Sequence, residues 1–245
     1  MKTLFYFYLT LLSLACFACE DDSSPNPVMP GESINKIMPL GASRVQGARP
    51  VFESYRYELW KLLVDADYTF DYIGTREDDA NYPEFSGMEF DDDHEGRGGW
   101  TSGQILDGIE DWMSQTGEID IVLFSSPGGN DALQGLSYDE AISNVNEIID
   151  LIQSANPDVT IIIEQLAPGR SDIMTDELAT YFDQIQSDVV EIATQQSTAR
   201  SPVIAVDMAT GFTDALLADA VHYNEAGAAF IADRYFAVLE DVLDR

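Results

Sequence analysis

Only two histidines, His94 and His222, occur among the 245 residues of this chain, and that scarcity narrows its chemistry. A serine hydroxyl becomes a useful nucleophile near neutral pH only beside a base, and imidazole is the side chain whose titration best suits that task. His222 stands in Asp219-Ala220-Val221-His222-Tyr223-Asn224. A carboxylate three residues ahead, within one turn, can accept the Nδ1 proton, fix the tautomer and leave Nε2 free as the base. The serine to set against it is Ser43, where the apolar run Ile37-Met38-Pro39-Leu40 stops at Gly41-Ala42-Ser43 and opens into a loop. The chemistry implied is attack of a serine on a carbonyl carbon. Each half is a common pattern alone, since Gly-x-Ser turns and Asp-x-x-His caps serve ordinary conformational ends. This is also no Gly-x-Ser-x-Gly elbow, because Val45 fills the place of the second glycine.

Attack on a carbonyl also needs donors for the charge that develops on its oxygen. Two stretches offer them. His94-Glu95-Gly96-Arg97-Gly98-Gly99-Trp100 presents backbone amides ahead of a helix, and Gly128-Gly129-Asn130-Asp131 presents a side-chain amide after an apolar segment. His94 is expected to be structural or to lie at the cleft rim. Asp91-Asp92-Asp93-His94-Glu95 gathers possible metal ligands, but they are contiguous loop residues without ligand-like spacing, so no metal or other cofactor is expected. Trp100, Arg170 and Tyr223 are candidates to line the cleft.

The elements that must position these residues are legible from periodicity. Ile34 to Leu40 reads as a strand, Glu53 to Asp65 as a helix with Tyr57, Trp60, Leu62 and Leu63 at helical spacing, and Tyr68 to Gly74 as a second strand. Thr75 to Gly98 is a long acidic loop, a length that is usually functional or disordered. Thr101 opens a helix, Ile119 to Ser125 is a strand apolar on both faces, and Ser137 with Glu140 forms a capping box before a helix to about Ser154. Val159 to Leu166 and Val203 to Val206 are further strands; Thr175 and Asn224 cap the last two helices. About five strands alternating with helices predict an α/β fold, a parallel sheet covered on both faces. Ligands then bind beyond the carboxyl ends of the strands, at the loops after residues 40, 74, 125, 166 and 206.

Residues 1–18 read as a signal peptide, with Lys2, an apolar core and small residues at its exit. Cys16 and Cys19 close this run, and each resembles the lipidated cysteine of a bacterial lipobox. Cys19 is the better candidate, because Glu20-Asp21-Asp22-Ser23-Ser24 follows as a tether would. Residues 19–33 are then a linker, and 34–245 one domain. The expected location is outside the cytoplasm, on a membrane through the lipid anchor alone, or secreted. The formal charge of −32 becomes one unit more negative once residues 1–18 are removed. Such a surface repels polyanions, which argues against nucleic acid and favours neutral substrates.

Taken together, Gly41-Ala42-Ser43 with Gly47, then Gly99, then Gly128-Gly129-Asn130-Asp131, then Asp219-Ala220-Val221-His222 resemble the four sequence blocks of the SGNH hydrolases, also called GDSL-like esterases and lipases, over residues 34 to 245. The resemblance implies Ser43 as nucleophile, His222 as base and Asp219 as its orienter. It implies an oxyanion hole from the Ser43 amide, Gly99 and Asn130. It also implies a three-layer α/β/α sandwich, flavodoxin-like, with strand order 2-1-3-4-5. Ile37 to Gly41 and His94 to Trp100 look most like the acetylxylan-type carbohydrate esterase branch. The expected protein is therefore a serine esterase, monomeric, acting through an acyl-enzyme on a neutral ester such as O-acetylated carbohydrate. One departure stands out: Ala42 replaces the aspartate usual between the glycine and the serine. It leaves open a surface glycan-binding lipoprotein without turnover; a lipase or thioesterase of the same family is the other alternative.

Overall fold

The computed structural model describes residues 35–243, so the expected signal peptide, tether and lipidated cysteine all lie outside the described residues. The chain runs β1 (Lys36–Gly41), α1 (Ser43–Gln46), α2 (Arg56–Asp65), β2 (Asp71–Tyr72), β3 (Glu95–Gly96), α3 (Ser102–Thr116), β4 (Ile121–Phe124) and α4 (Gly129–Leu133). It continues with α5 (Tyr138–Ala155), β5 (Thr160–Gln165), α6 (Asp176–Gln196), β6 (Val203–Asp207) and α7 (Glu225–Leu239). Every strand pairing is parallel. The sheet order is β2-β1-β4-β5-β6, with β3 also against β1. Setting β3 aside, this is the expected order.

Alternation along the strands divides the core into two layers. Ile37, Ile121, Leu123, Ile162 and Val206 face one side with Leu59 and Leu63 of α2 and Tyr235 and Leu239 of α7. Met38, Leu40, Val122, Phe124, Ile161 and Ile163 face the other, against Ile109 and Trp112 of α3, Val145 and Ile149 of α5, and Val189 of α6. Burying apolar side chains on both faces is what makes these strands read as unbroken hydrophobic runs. The helix starts are those the capping residues specify: Ser137 accepts from Glu140 N at 3.3 Å, Thr175 from Leu178 N at 3.2 Å and Asn224 from Gly227 N at 3.0 Å.

Two differences from the sequence reading matter. The second strand shrinks to Asp71–Tyr72, and the edge of β1 beyond it is taken by β3, which comes from the end of the acidic loop. That loop is built around Arg56, which has no exposed surface. Its guanidinium donates to the carbonyls of Val45 at 2.8 Å, Asp92 at 2.8 Å and Gln46 at 3.1 Å, and to Asp78 Oδ2 at 2.7 Å. Asp78 in turn lies 3.2 Å from His94 Nε2, while His94 Nδ1 accepts from Gly96 N at 2.8 Å. Burial lowers the His94 pKa to about 4, so the ring is neutral with its proton on Nε2, a structural part of the loop. The second difference is α4, a short helix directly after Gly128.

The acidic residues of this loop are internal connectors as much as surface charge. Asp91 Oδ2 accepts from Tyr72 N at 2.7 Å. Burial pushes the Asp91 carboxyl up to about 7; the Tyr72 N–H opposes this, while Asp71 and Asp93 reinforce it. A carboxyl that holds its proton more tightly folded than unfolded contributes stability in full below about pH 4. That contribution is lost as the pH rises through about 7. Asp91→Asn keeps an acceptor for the Tyr72 amide and removes the charge. The variant is expected to match or exceed the wild-type melting temperature at pH 8, by up to a few degrees, and to lose that advantage at pH 4. An equal difference at both pH values would show that Asp91 does not titrate across this range.

Candidate active site

The site begins where β1 ends. Gly41 turns the chain with φ +155°, and a Cβ there would lie 2.8 Å from the Ser125 carbonyl oxygen and 2.9 Å from Val45 Cγ2. A glycine is therefore required where the first turn passes over the end of β4. Ser43 follows as the first residue of α1, so its amide has no partner within the helix. The turn is closed by the Ala42 carbonyl, which accepts from Val45 N at 3.2 Å and Gln46 N at 3.0 Å.

His222 reaches Ser43 from the far end of the chain. Its Nε2 is 2.9 Å from Ser43 Oγ and its Nδ1 is 2.7 Å from Asp219 Oδ2. The other Asp219 oxygen accepts from the backbone N–H groups of Val221 and His222, both at 2.8 Å, so the carboxylate closes its own turn and aims at the ring at once. Partial burial raises the Asp219 pKa, but the Val221 amide and the His222 ring outweigh it and hold the carboxyl below the usual range. Phe52 stacks on the imidazole, ring centres 3.8 Å apart and 12° from parallel. The three residues thus form a hydrogen-bonded chain in which Nε2 can take a proton from the serine and Asp219 can stabilise the resulting imidazolium.

Asn130 sits at the second residue of α4, beside Ser43 in the wall of one small pocket. Its Nδ2 donates to the Trp100 carbonyl at 2.7 Å, and the neighbouring Asp131 accepts from Ser102 N at 2.8 Å and Ser102 Oγ at 2.7 Å. This pair clasps the start of α3, and so draws the Gly98-Gly99 turn toward the serine. Gln46 draws it from the other side, its Oε1 accepting from Gly98 N at 2.6 Å. Gly99 has φ +78° with open space where a side chain would be. Gly128, with φ +69°, has a left-handed conformation in which a side chain is strained, and a Cβ there would lie 2.4 Å from Ile185 Cδ1 and displace that methyl.

Beneath these loops lie charged groups that the sequence reading did not single out. Glu164, at the end of β5 and fully buried, accepts from Ser126 N at 2.7 Å, Ser125 Oγ at 3.0 Å and the Tyr235 hydroxyl at 2.8 Å. Burial pushes its carboxyl up. Ser126, with φ +49°, is held in a left-handed conformation uncommon for a side-chain-bearing residue. The available signal was a single acidic residue inside Ile161-Ile162-Ile163-Glu164, where burial needs partners. Of the candidate cleft residues, Tyr223 is fully buried, Trp100 packs 5.6 Å from Trp112, and Arg170 pairs with Asp172 at 2.6 Å on the surface.

A parallel sheet with a Ser–His–Asp chain at its carboxyl ends has the parts of a serine hydrolase, and the family makes it an ester hydrolase. The chain belongs to the GDSL-like lipase/acylhydrolase family, whose sequence model matches residues 68–230. That match starts after Ser43, whereas similarity to solved structures takes in most of the chain. A carbohydrate esterase of family 3 from Talaromyces cellulolyticus is 28% identical with a TM-score of 0.74, covering 85% of this chain and 98% of its own. A family 3 carbohydrate esterase from Clostridium thermocellum is 27% identical with a TM-score of 0.67, covering 86% and 99%. An acetyl esterase mutant described with an acetate ion is 28% identical with a TM-score of 0.74, covering 85% and 98%. Comparison with curated proteins returned no match.

Asp219→Asn preserves an acceptor for the two backbone amides, but its NH₂ would donate to Nδ1 and force the ring proton onto Nε2, where a base is needed. On a small acetyl ester the variant is expected to lose on the order of 10³- to 10⁴-fold in kcat with the fold unchanged. A loss of less than tenfold would show that Asp219 does not set the tautomer.

Proposed function

We propose that this protein removes short acyl groups, acetyl first among them, from the hydroxyls of carbohydrate through an acyl-enzyme. Ser43 is the nucleophile, His222 the general base and then acid, and Asp219 the group that orients it. The Ser43 and Gly99 amides and the Asn130 side chain receive the oxyanion.

The observation that carries the acyl preference is the pocket beside Ser43. It is a half-open hollow with room of only about 30 Å³, walled by Ala42, Gly129, Leu133, Leu166 and Phe182. On that measure one water needs roughly 10–15 Å³, so the hollow takes a group of one or two water sizes, an acetyl methyl rather than a fatty chain. A lipase or thioesterase would need a broad apolar groove at this point. The alcohol side rests on different support: the carbohydrate esterases to which the chain is similar, and a strongly acidic surface suited to neutral substrates. A glycan binder without turnover would have no use for the Oγ–Nε2 and Nδ1–Oδ2 distances observed.

Ser43→Ala is expected to abolish acetate release from acetylated sugars and small acetyl esters while leaving the melting temperature intact; undiminished turnover would remove Ser43 from the mechanism. Across a series from acetyl to octanoyl esters of one alcohol, kcat/KM is expected to fall by about 10- to 200-fold for each step that overfills the pocket. Leu133→Ala, a half-exposed change in the pocket wall, should shift the preference toward butyryl. A wild-type enzyme that prefers octanoyl would overturn the acetyl reading and leave the triad standing.

A further inference from the structure

The turn that carries His222 belongs to the stretch after β6, and Ser43 follows β1. These strands are three steps apart in the sheet, a gap of about 14 Å at ordinary strand spacing. Something must hold the far loop over two intervening strand ends with sub-ångström repeatability. We propose that Arg44 does so: it is a positioning residue whose guanidinium fastens the turn carrying Ser43 to the turn carrying His222. The proposal rests on the serine hydrolase assignment alone and is independent of acyl or sugar preference.

Arg44 directly follows the nucleophile and is 7% exposed. Its Nε donates to the Val221 carbonyl at 2.8 Å, the residue directly before His222. Its Nη1 donates to the Ala167 carbonyl at 2.7 Å and its Nη2 to the Pro168 carbonyl at 3.1 Å, both in the loop after β5 that lies in the gap. The guanidinium also rests 4.8 Å from the ring centre of Tyr223, the residue directly after His222. One rigid fork thus touches both sequence neighbours of the base while its own backbone carries the nucleophile on. The intermediate loop is drawn into the same assembly, since Arg170 N donates to the Ala220 carbonyl at 2.8 Å.

A buried cation is costly unless its donors are satisfied. In a chain with 12 basic residues against 44 acidic ones, this cation faces backbone carbonyls and an aromatic ring, a donor geometry that only a planar fork supplies. A lysine would offer a single ammonium to carbonyls on two separate loops. Other contacts also hold the His222 turn, namely the Phe52 stack and the 2.9 Å bond from Glu53 N to the Tyr223 carbonyl. Loss of Arg44 therefore loosens the triad without releasing it.

The test compares Arg44→Ala and Arg44→Lys with wild type by kcat and KM on a small acetyl ester. It adds the rate of labelling by a fluorophosphonate, which reads Ser43 activation without any knowledge of the natural acyl group. Both variants are expected to lose on the order of 10²-fold in kcat and in labelling rate, with KM nearly unchanged, the penalty of a misplaced reacting group. Arg44 lines the pocket at Ser43, so the cavity left by Arg44→Ala is open to small solutes. Added guanidinium is expected to restore activity about tenfold and saturably in Arg44→Ala. It should do nothing for Leu63→Ala, a core variant remote from the site that supplies a matched loss of stability. Wild-type kcat and labelling in either variant would overturn the proposal. So would a loss that cooling reverses and guanidinium does not, since that is the mark of simple destabilisation. If Arg44→Ala does not fold, Arg44→Lys carries the decision by the same two rates. Should wild type label rapidly yet ignore acetyl esters, the acyl reading fails while the comparison of labelling rates still decides the role of Arg44.

Discussion

The close approach of Gly41 to the Ser125 carbonyl is the constraint on which the rest of the site depends. Neighbouring parallel strands must end side by side for the loop after β1 and the loop after β4 to share one cleft, and the first turn must pass over the end of β4 to bring Ser43 to Asn130. A Cβ at position 41 would collide with both the neighbouring strand end and the first turn of α1. Once that contact is made, the consequences follow in order: α1 starts at Ser43, Gln46 at its end takes the Gly98 amide, and the turn through Gly99 is drawn in. On the other side, Ser126 adopts its left-handed conformation because Glu164 accepts its amide, and Gly128 and Asn130 fall where α4 begins. Backbone strain at Ser126, on the order of 1–3 kcal/mol, is offset by the hydrogen bond to Glu164, which is of the same order.

The charge distribution has a corresponding logic. A chain of net charge −32 repels itself, and its few cations would do little as exposed ion pairs. Two of them are instead buried, Arg44 and Arg56, and each joins segments far apart in sequence by donating to backbone carbonyls. Arg97 is partly buried beside the Gly98-Gly99 turn, with Trp112 3.9 Å and Trp100 5.3 Å from its guanidinium carbon, and pairs with Glu95 at 2.7 Å. Acidity at the surface and arginine inside are compatible because a guanidinium directed at carbonyl dipoles needs no carboxylate partner. Where carboxylates do meet arginines, at Arg56–Asp78 and Arg97–Glu95, it is the long acidic loop that is pinned.

How much of this was legible depended on the range of the interaction. Ser137, Thr175 and Asn224 announce their helices because a cap is a contact across three residues. Asp219 and His222 were legible for the same reason, and Ser43 because an apolar strand stops at a glycine. The order of the sheet came with the family pattern of four blocks. By contrast, β3 is a strand only because Gly96 can lie against β1, and nothing in Glu95-Gly96 has strand periodicity. The second strand of the sequence reading is cut short because the chain leaves the edge after Tyr72 and returns through that pair. Tyr223, a candidate to line the cleft, is instead directed inward by the turn, beneath Arg44. Arg44 itself was invisible because its partners lie more than 120 residues away in the chain.

Ala42 stands where the pattern of the family has an aspartate. If a carboxylate at this position were needed to hold the elbow, its loss should leave the turn unclosed or the serine misaligned. Neither is so: the Ala42 carbonyl closes α1 by two hydrogen bonds, and Ser43 Oγ stands 2.9 Å from the base. The alanine methyl instead forms part of the small apolar wall beside Ser43. Rigidity that a side chain at position 42 could have supplied is available one residue past the serine, through a guanidinium that holds the base loop as well. On this view the alanine relocates the support of the nucleophile from the residue before it to the residue after it, and the triad keeps its geometry because the new support acts on both of its ends.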